Sequence, residues 1–473
     1  MPVNINSIEV LTDLREQDRS AKLVESFVNY LFWFLVILYT NPGAIVQALH
    51  IYYITDKINI GDLLFVLLSF CYFINQNEYT VFDIDFIKVR KFLLIFLVYY
   101  LVVFSVITPI WNGNLDYTLS DSIIKTRYTV YAILISIYIY DFFKKSWDIF
   151  LKVFLYSSIL VSILFILTVV LKIDILPLGS LNRGYINVDR KLMLSEGLLP
   201  LLLPLGITVA VFNYRIKYRN LILIGFGLMC VVYVLELWRR NIAAIFIFFI
   251  LAAILNAIIN RKFIILFKNA FKIIFLLTFL TLISYSIFPR YIDAAILGIK
   301  DSFSVLRSEH DLRGKKDVRM TLDRPFINKK FYEHPFFGTG FDNRWRTKGG
   351  DNQGFEAADY PFLSALAMFG IVGLLVFIPL YIMIIKVLRL DFKYLKSNSK
   401  RIEKTLLLSF VITFMLYFTS DIMQYFNYFQ AVSNSDFYYN WYIFLSLYLA
   451  ARSQFYSSEF EYKEQNNLLF EKN

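Results

Sequence analysis

Histidine and cysteine are nearly missing from this chain. In 473 residues there are three histidines, His50, His310 and His334, and two cysteines, Cys71 and Cys230. So few imidazoles rule out a histidine-rich metal centre on supply alone. Both cysteines lie inside apolar runs, which excludes a disulfide framework and a thiolate metal site. No Walker phosphate loop and no Gly-x-Ser-x-Gly nucleophile elbow occurs. Neither a metal nor a cofactor is expected, and nothing suggests coupling to ATP.

Charge is also scarce, at 18% of residues against roughly 25% in an ordinary soluble chain. What fills the sequence is apolar: 58% hydrophobic residues, 18% aromatics and a mean hydropathy of +0.56. Apolar runs of about 20 residues, the length that crosses a bilayer as a helix, recur from about residue 25 to about residue 452. The opening MPVNINSIEVLTDLREQDRSAKLVE is polar and mixed in charge, so no secretory signal is expected there. The net charge of +11 sits in short segments between apolar runs. That distribution suits anionic lipid headgroups and membrane orientation rather than nucleic acid.

The expected fold class is all-α: a polytopic helix bundle of about twelve spans with one large external loop carrying short helices. Spans are predicted at 25–41, 60–76, 91–110, 127–142, 149–171, 192–213, 219–237, 241–259, 265–288, 360–386, 404–424 and 436–452. An N-terminal segment (1–24) precedes nine spans within 25–288. The large loop covers 289–358, three further spans occupy 360–452, and a polar tail (453–473) looks dispensable. Lys88, Arg90 and Lys91, then Lys144 and Lys145, Arg215, Lys217 and Arg219, Arg261 and Lys262 mark one set of loops, joined by KVLRLDFKYLKSNSKRIEK. The positive-inside rule makes this set cytoplasmic, with both termini inside and residues 289–358 on the periplasmic or outer face.

That external loop breaks the charge bias, carrying Arg290, Arg307, Arg313, Arg319, Arg324, Arg344 and Arg346. Long loops cross a membrane regardless of charge, so the excess calls for another cause, and an anionic ligand supplies one. Further arginines stand at outer span ends: Arg127 in DSIIKTRYTVY, Arg190 in GSLNRGYINVDRKLMLSEG, and Arg239 and Arg240 in LELWRRNIAAIF. Their planar forks suit a pyrophosphate, which they pair in bidentate fashion at any relevant pH. Two adjacent arginines between apolar helices need a counter-charge, and Glu236, one turn back, is the in-chain candidate. In the loop, Pro335, Gly338 and Gly340 bend the chain sharply and set His334 at the mouth of the bundle, where an imidazole can take a proton from a hydroxyl. His310 has no comparable setting. Gly370 and Gly373 in MFGIVG read as close helix packing.

The loop RMTLDRPFINKKFYEHPFFGTG, followed by DYPFLSALAMFGIVGLLVFIPLY, resembles the O-antigen polymerase and O-antigen ligase superfamily over about residues 230–390. These are GT-C-like bacterial membrane glycosyltransferases that move a glycan from a polyprenyl-pyrophosphate carrier onto an acceptor hydroxyl. The resemblance implies a multi-pass enzyme of the inner membrane, working on its outer face without metal. Its partners would be undecaprenyl-pyrophosphate-linked oligosaccharide, membrane lipids and a chain-length regulator protein. It implies His334 as the base, with Arg319 and Arg240 in the catalytic set. Arg239, Arg324, Arg190 and Arg127, with Asp359 and Tyr360 at the next span, would contact pyrophosphate or glycan. The chain departs from the family pattern in places: Val318 stands where a Gly usually precedes the loop arginine, and no Trp follows, which leaves Arg324 a rival to Arg319. Trp238-Arg239-Arg240-Asn241 lacks the usual Ser and Gly, and Asp359-Tyr360 replaces the His-Asn frequent in ligases. Polymerase is therefore the leading expectation, ligase onto lipid A–core the alternative, and a precursor flippase the reading from another class.

Overall fold

The computed structural model describes residues 5–40, 60–74, 84–111, 119–172, 178–181, 190–193, 198–212, 216–236, 239–260, 324–340, 361–398, 405–423 and 440–470, with isolated positions between 278 and 304. For some of these, including Arg190, Arg239 and Arg240, only the backbone is described. The helices are α1 (Ile5–Thr40), α2 (Ile60–Ile74), α3 (Ile84–Val98), α4 (Thr108–Trp111) and α5 (Leu119–Leu171). They continue as α6 (Leu202–Phe212), α7 (Arg219–Glu236), α8 (Arg239–Asn260), α9 (Arg324–Glu333), α10 (Pro361–Asn398), α11 (Leu406–Met423) and α12 (Asn440–Phe470). Between α3 and α4, Tyr99–Ile107 winds as a π-helix.

Among the described residues, five helices are long and apolar enough to cross a membrane: Lys22–Thr40, Asp85–Ile107, Val130–Leu171, Arg219–Glu236 and Leu366–Asn398. Shorter apolar helices occupy Ile60–Ile74, Leu199–Phe212, Ala244–Asn260 and Leu406–Thr419. The protein is thus a helical membrane protein. Predicted span 265–288 lies almost wholly outside the described residues, as do Arg319, Asp359 and Tyr360.

The 42 residues of Val130–Leu171 would reach about 63 Å as one rod, twice a bilayer core. α5 divides at Ser146, whose backbone is non-helical (φ −139°, ψ 32°). Its hydroxyl donates to the Phe142 carbonyl at 2.8 Å and accepts from Trp33 Nε1 at 2.8 Å, so the break is tied to α1. The π-helix has a similar local cause. Ser105 Oγ donates to the Tyr100 carbonyl and Thr108 Oγ1 to that of Val103, each five residues back.

Two local features depart from expectation. The predicted span 192–213 begins in a hairpin, β1 (Leu178–Leu181) pairing antiparallel with β2 (Arg190–Met193), and among its described residues the helical part starts at Leu199. Pro200 in the first turn sets that start, where its missing N–H costs nothing. The tail is not wholly dispensable either. α12 runs to Phe470, Phe455 is buried, and Tyr456 donates to Asp391 at 2.8 Å.

Polar side chains identify the two ends of the bundle. At one end Lys217 meets Asp148 at 3.1 Å, and Gln454 Nε2 donates to the Lys144 carbonyl at 2.9 Å. In the same layer Arg452 joins Asp391 at 2.7 Å and Asp85 at 2.8 Å, with Tyr448 also donating to Asp391. From this layer α10 runs back to Gly370 over about 30 Å, α7 climbs to Glu236, and the first half of α5 returns to Arg127. Gly370, Glu236 and Arg127 therefore share the opposite end.

Candidate active site at the opposite end

α9 starts at Arg324, with Pro325 early in its first turn, and buries Ile327 and Lys330 against α10. Lys330 Nζ donates to Glu333 Oε2 at 2.8 Å and lies 5.8 Å from the centre of the Phe326 ring. The hydrogen bond from Lys330 holds the Glu333 carboxyl below its ordinary value, with the charges of Lys330, Lys329 and His334 adding to it. The folded-state value is lowered. This pair's contribution is therefore present above the ordinary glutamate range and fades as pH falls through the lowered value.

The helix stops at His334-Pro335 because proline offers no N–H and restricts the residue before it. The His334 N–H reaches the carbonyls of Lys330 and Phe331, both at 3.2 Å, and its own carbonyl accepts from Gly338 N at 3.0 Å. His334 is thus pinned on both sides of its backbone and left half-buried. Phe336 and Tyr332 project beside it, exposed, and Phe337 meets Trp111 edge-on at 6.5 Å.

The turn then locks into α10. Thr339 N donates to Ala367 O at 2.9 Å and Gly340 N to Met368 O at 3.1 Å. In the reverse direction Ile371 N donates to Pro335 O at 2.9 Å and Val372 N to Phe336 O at 3.1 Å. α10 breaks at Gly370 (φ 66°, ψ −175°) to receive it. Gly370 was expected to serve close helix packing. The close approach is real, but its partner is the backbone of the turn. Gly338 (φ 72°) and Gly340 (φ 66°) adopt the left-handed backbone expected of a sharp turn.

Arg239, Arg240, Arg190 and Arg127 belong to segments at the same end. α8 begins at Arg239 and Arg240, immediately after fully buried Glu236. α8 packs against α10, and both start at this end, so the arginine pair and the His334 turn lie on neighbouring helices. Cations oppose the helix dipole at an N-terminus, whereas an anion there gains both the free N–H groups and the guanidinium charge. Arg190 opens β2, opposite Leu181 in the ladder, and β2 contacts α7. Arg127 is engaged by Asp62 at 3.1 Å in a mostly buried pair. That carboxylate is a built-in counter-charge, with which any anion would have to compete. Arg324 stands exposed at the far end of α9, about 15 Å from His334 along the helix.

Sequence reasoning missed Asp62 and Tyr99. Asp62, at the start of a span and near Arg127 in the bundle, has no local pattern that reveals its partner. Tyr99 is one of 33 tyrosines, and nothing local singles it out. Asp83-Ile84-Asp85 carries the carboxylate spacing that holds a nucleotide sugar through a metal in other transferases. Its Asp85 is instead paired with Arg452 at the far end of the bundle. Among the described residues no group of His, Cys, Asp and Glu is arranged to hold a metal. Comparisons with protein-family models, curated proteins and solved structures find no match to this chain.

Proposed function

We propose that this chain is a metal-independent polysaccharide polymerase of the bacterial inner membrane. It would transfer a growing glycan from undecaprenyl pyrophosphate to a hydroxyl of a second lipid-linked repeat unit. In this reading twelve spans cross the membrane, both termini are cytoplasmic, and residues 289–358 face the periplasm or exterior. His334 accepts the acceptor proton while Arg240 and Arg319, flanked by Arg239, Arg324, Arg190 and Arg127, neutralise the departing pyrophosphate. A chain-length regulator would be its protein partner.

The observation that carries the reading is the His334–Gly340 turn, held by four backbone bonds on α10 beside the helix that opens with Arg239 and Arg240. A half-buried histidine on a turn docked to α10, whose neighbour α8 opens with Arg239 and Arg240, supports a base paired with an anionic leaving group. A flippase fits less well. Its broken helices would offer their freed backbone groups to cargo, whereas Ala367 O, Met368 O, Ile371 N and Val372 N are all taken by the turn.

The deciding experiment is reconstitution of the purified protein with a polyprenyl-pyrophosphate oligosaccharide. His334→Ala should bind the donor yet lose about 10²–10⁴ in rate, and EDTA should leave the wild type active. His334→Gln keeps a hydrogen-bonding side chain without a usable base. A near-wild-type glycan ladder from that variant would remove the base assignment.

A further inference from the structure

In an unbroken helix the N–H groups of Ile371 and Val372 would bond the carbonyls of Ala367 and Met368, four residues earlier. Here those two carbonyls accept from Thr339 and Gly340, while Ile371 and Val372 donate to Pro335 and Phe336. Two helical bonds are exchanged for four bonds to the turn. The next carbonyl, Phe369 O, accepts the Tyr99 hydroxyl at 3.1 Å, and Tyr99 belongs to the π-helical stretch rather than to the turn or α10. Gly373 makes room for it, since a Cβ there would sit 2.8 Å from the Tyr99 oxygen.

Irregular backbone within a membrane helix survives only where its polar groups are satisfied by protein or by a lined cavity. This break is satisfied by protein from two separate segments. We infer that Tyr99 and the Gly370 break form a socket that fixes the His334 turn relative to the bundle, with Tyr99 a positioning residue for the base. Its effect on turnover rests on the polymerase reading; the mechanical coupling does not. A base acts only within hydrogen-bond reach of the group it deprotonates, about 2.6–3.2 Å between heavy atoms, and a misplacement of about 1 Å can cost a hundredfold in rate. Tyr99 would therefore act on His334 through Phe369 O and the four interlocking bonds.

The test places a spin label at Phe336→Cys, an exposed position inside the turn, in a Cys71→Ala/Cys230→Ala background in nanodiscs. Label mobility and steady-state kinetics are then read for Tyr99→Phe and Gly370→Ala. Tyr72→Phe serves as control, since it removes a hydroxyl bonded to Asp141 at 3.0 Å, away from the socket. The expected result is a loosened label in Tyr99→Phe, a kcat lowered roughly tenfold to a hundredfold and a KM within about twofold of wild type. The control should change neither. Tyr99→Phe removes a single oxygen, so the test stands even if Gly370→Ala does not fold. An unchanged label in Tyr99→Phe, or a loosened label with undiminished kcat, overturns the positioning role. If the wild type makes no polymer while the label still responds to Tyr99→Phe, the polymerase reading falls and the socket stands.

Discussion

Gly338 and Gly370, from two segments separated by the end of the long loop, each occupy space that the other's segment leaves for a bare backbone. A Cβ on Gly338 would run into the Met368 carbonyl and lie 2.6 Å from Phe369 N. One on Gly370 would run into the Phe336 carbonyl and lie 2.6 Å from Gly338 N. Both residues also have positive φ, and such a backbone costs an ordinary side chain about 1–3 kcal/mol before any clash.

Gly338→Ala should accordingly destabilise the protein by at least about 2 kcal/mol. Buried Cys71 and Cys230 provide the readout, because a thiol-reactive dye reaches them only as the bundle opens. Gly227→Ala, in α7 with open space around it, should be neutral or stabilising by up to about 1 kcal/mol. Equal melting temperatures for the two variants would show that the interlock is not tight.

At the other end, Arg452 bridges Asp391 on α10 and Asp85 on α3, with Tyr448 and Tyr456 completing the shell around the fully buried Asp391. Arg452→Met would leave two carboxylates facing each other without their cation. The expected loss is about 3–5 kcal/mol, the usual consequence of removing one partner from a buried pair. Adding Asp391→Asn should recover part of it, and a double variant no more stable than the single one would argue against the charge pairing.

The short basic loops predict membrane orientation. A cysteine at position 350 of a Cys71→Ala/Cys230→Ala protein should react with an impermeant maleimide in intact cells, or in spheroplasts if an outer membrane intervenes. Labelling seen only after lysis would place the loop, and the His334 turn with it, in the cytoplasm.

For the pyrophosphate clamp, Arg240→Lys and Arg319→Lys should each lower polymerisation about ten- to a hundredfold. Lysine keeps the charge but loses the bidentate fork, a deficit of about 1.5–3 kcal/mol. Full-length polymer from both lysine variants would exclude the clamp.

The sequence by itself determined the class of the molecule and the position of most of its helices. Burying a polar backbone in lipid is so costly that any apolar run of about twenty residues must become a helix, and this is legible residue by residue. It also singled out the His334–Gly340 turn, because proline and glycine restrict or free the backbone locally. Only the tertiary structure decided the rest. Arg127 is committed to Asp62, Asp85 to Arg452, and the Gly370 break is filled by a turn some thirty residues earlier in the chain. Each of these depends on which helices pack side by side across the bundle, and at what height. Charge pairing and backbone exchange at such distances leave no periodic trace in the residues that make them.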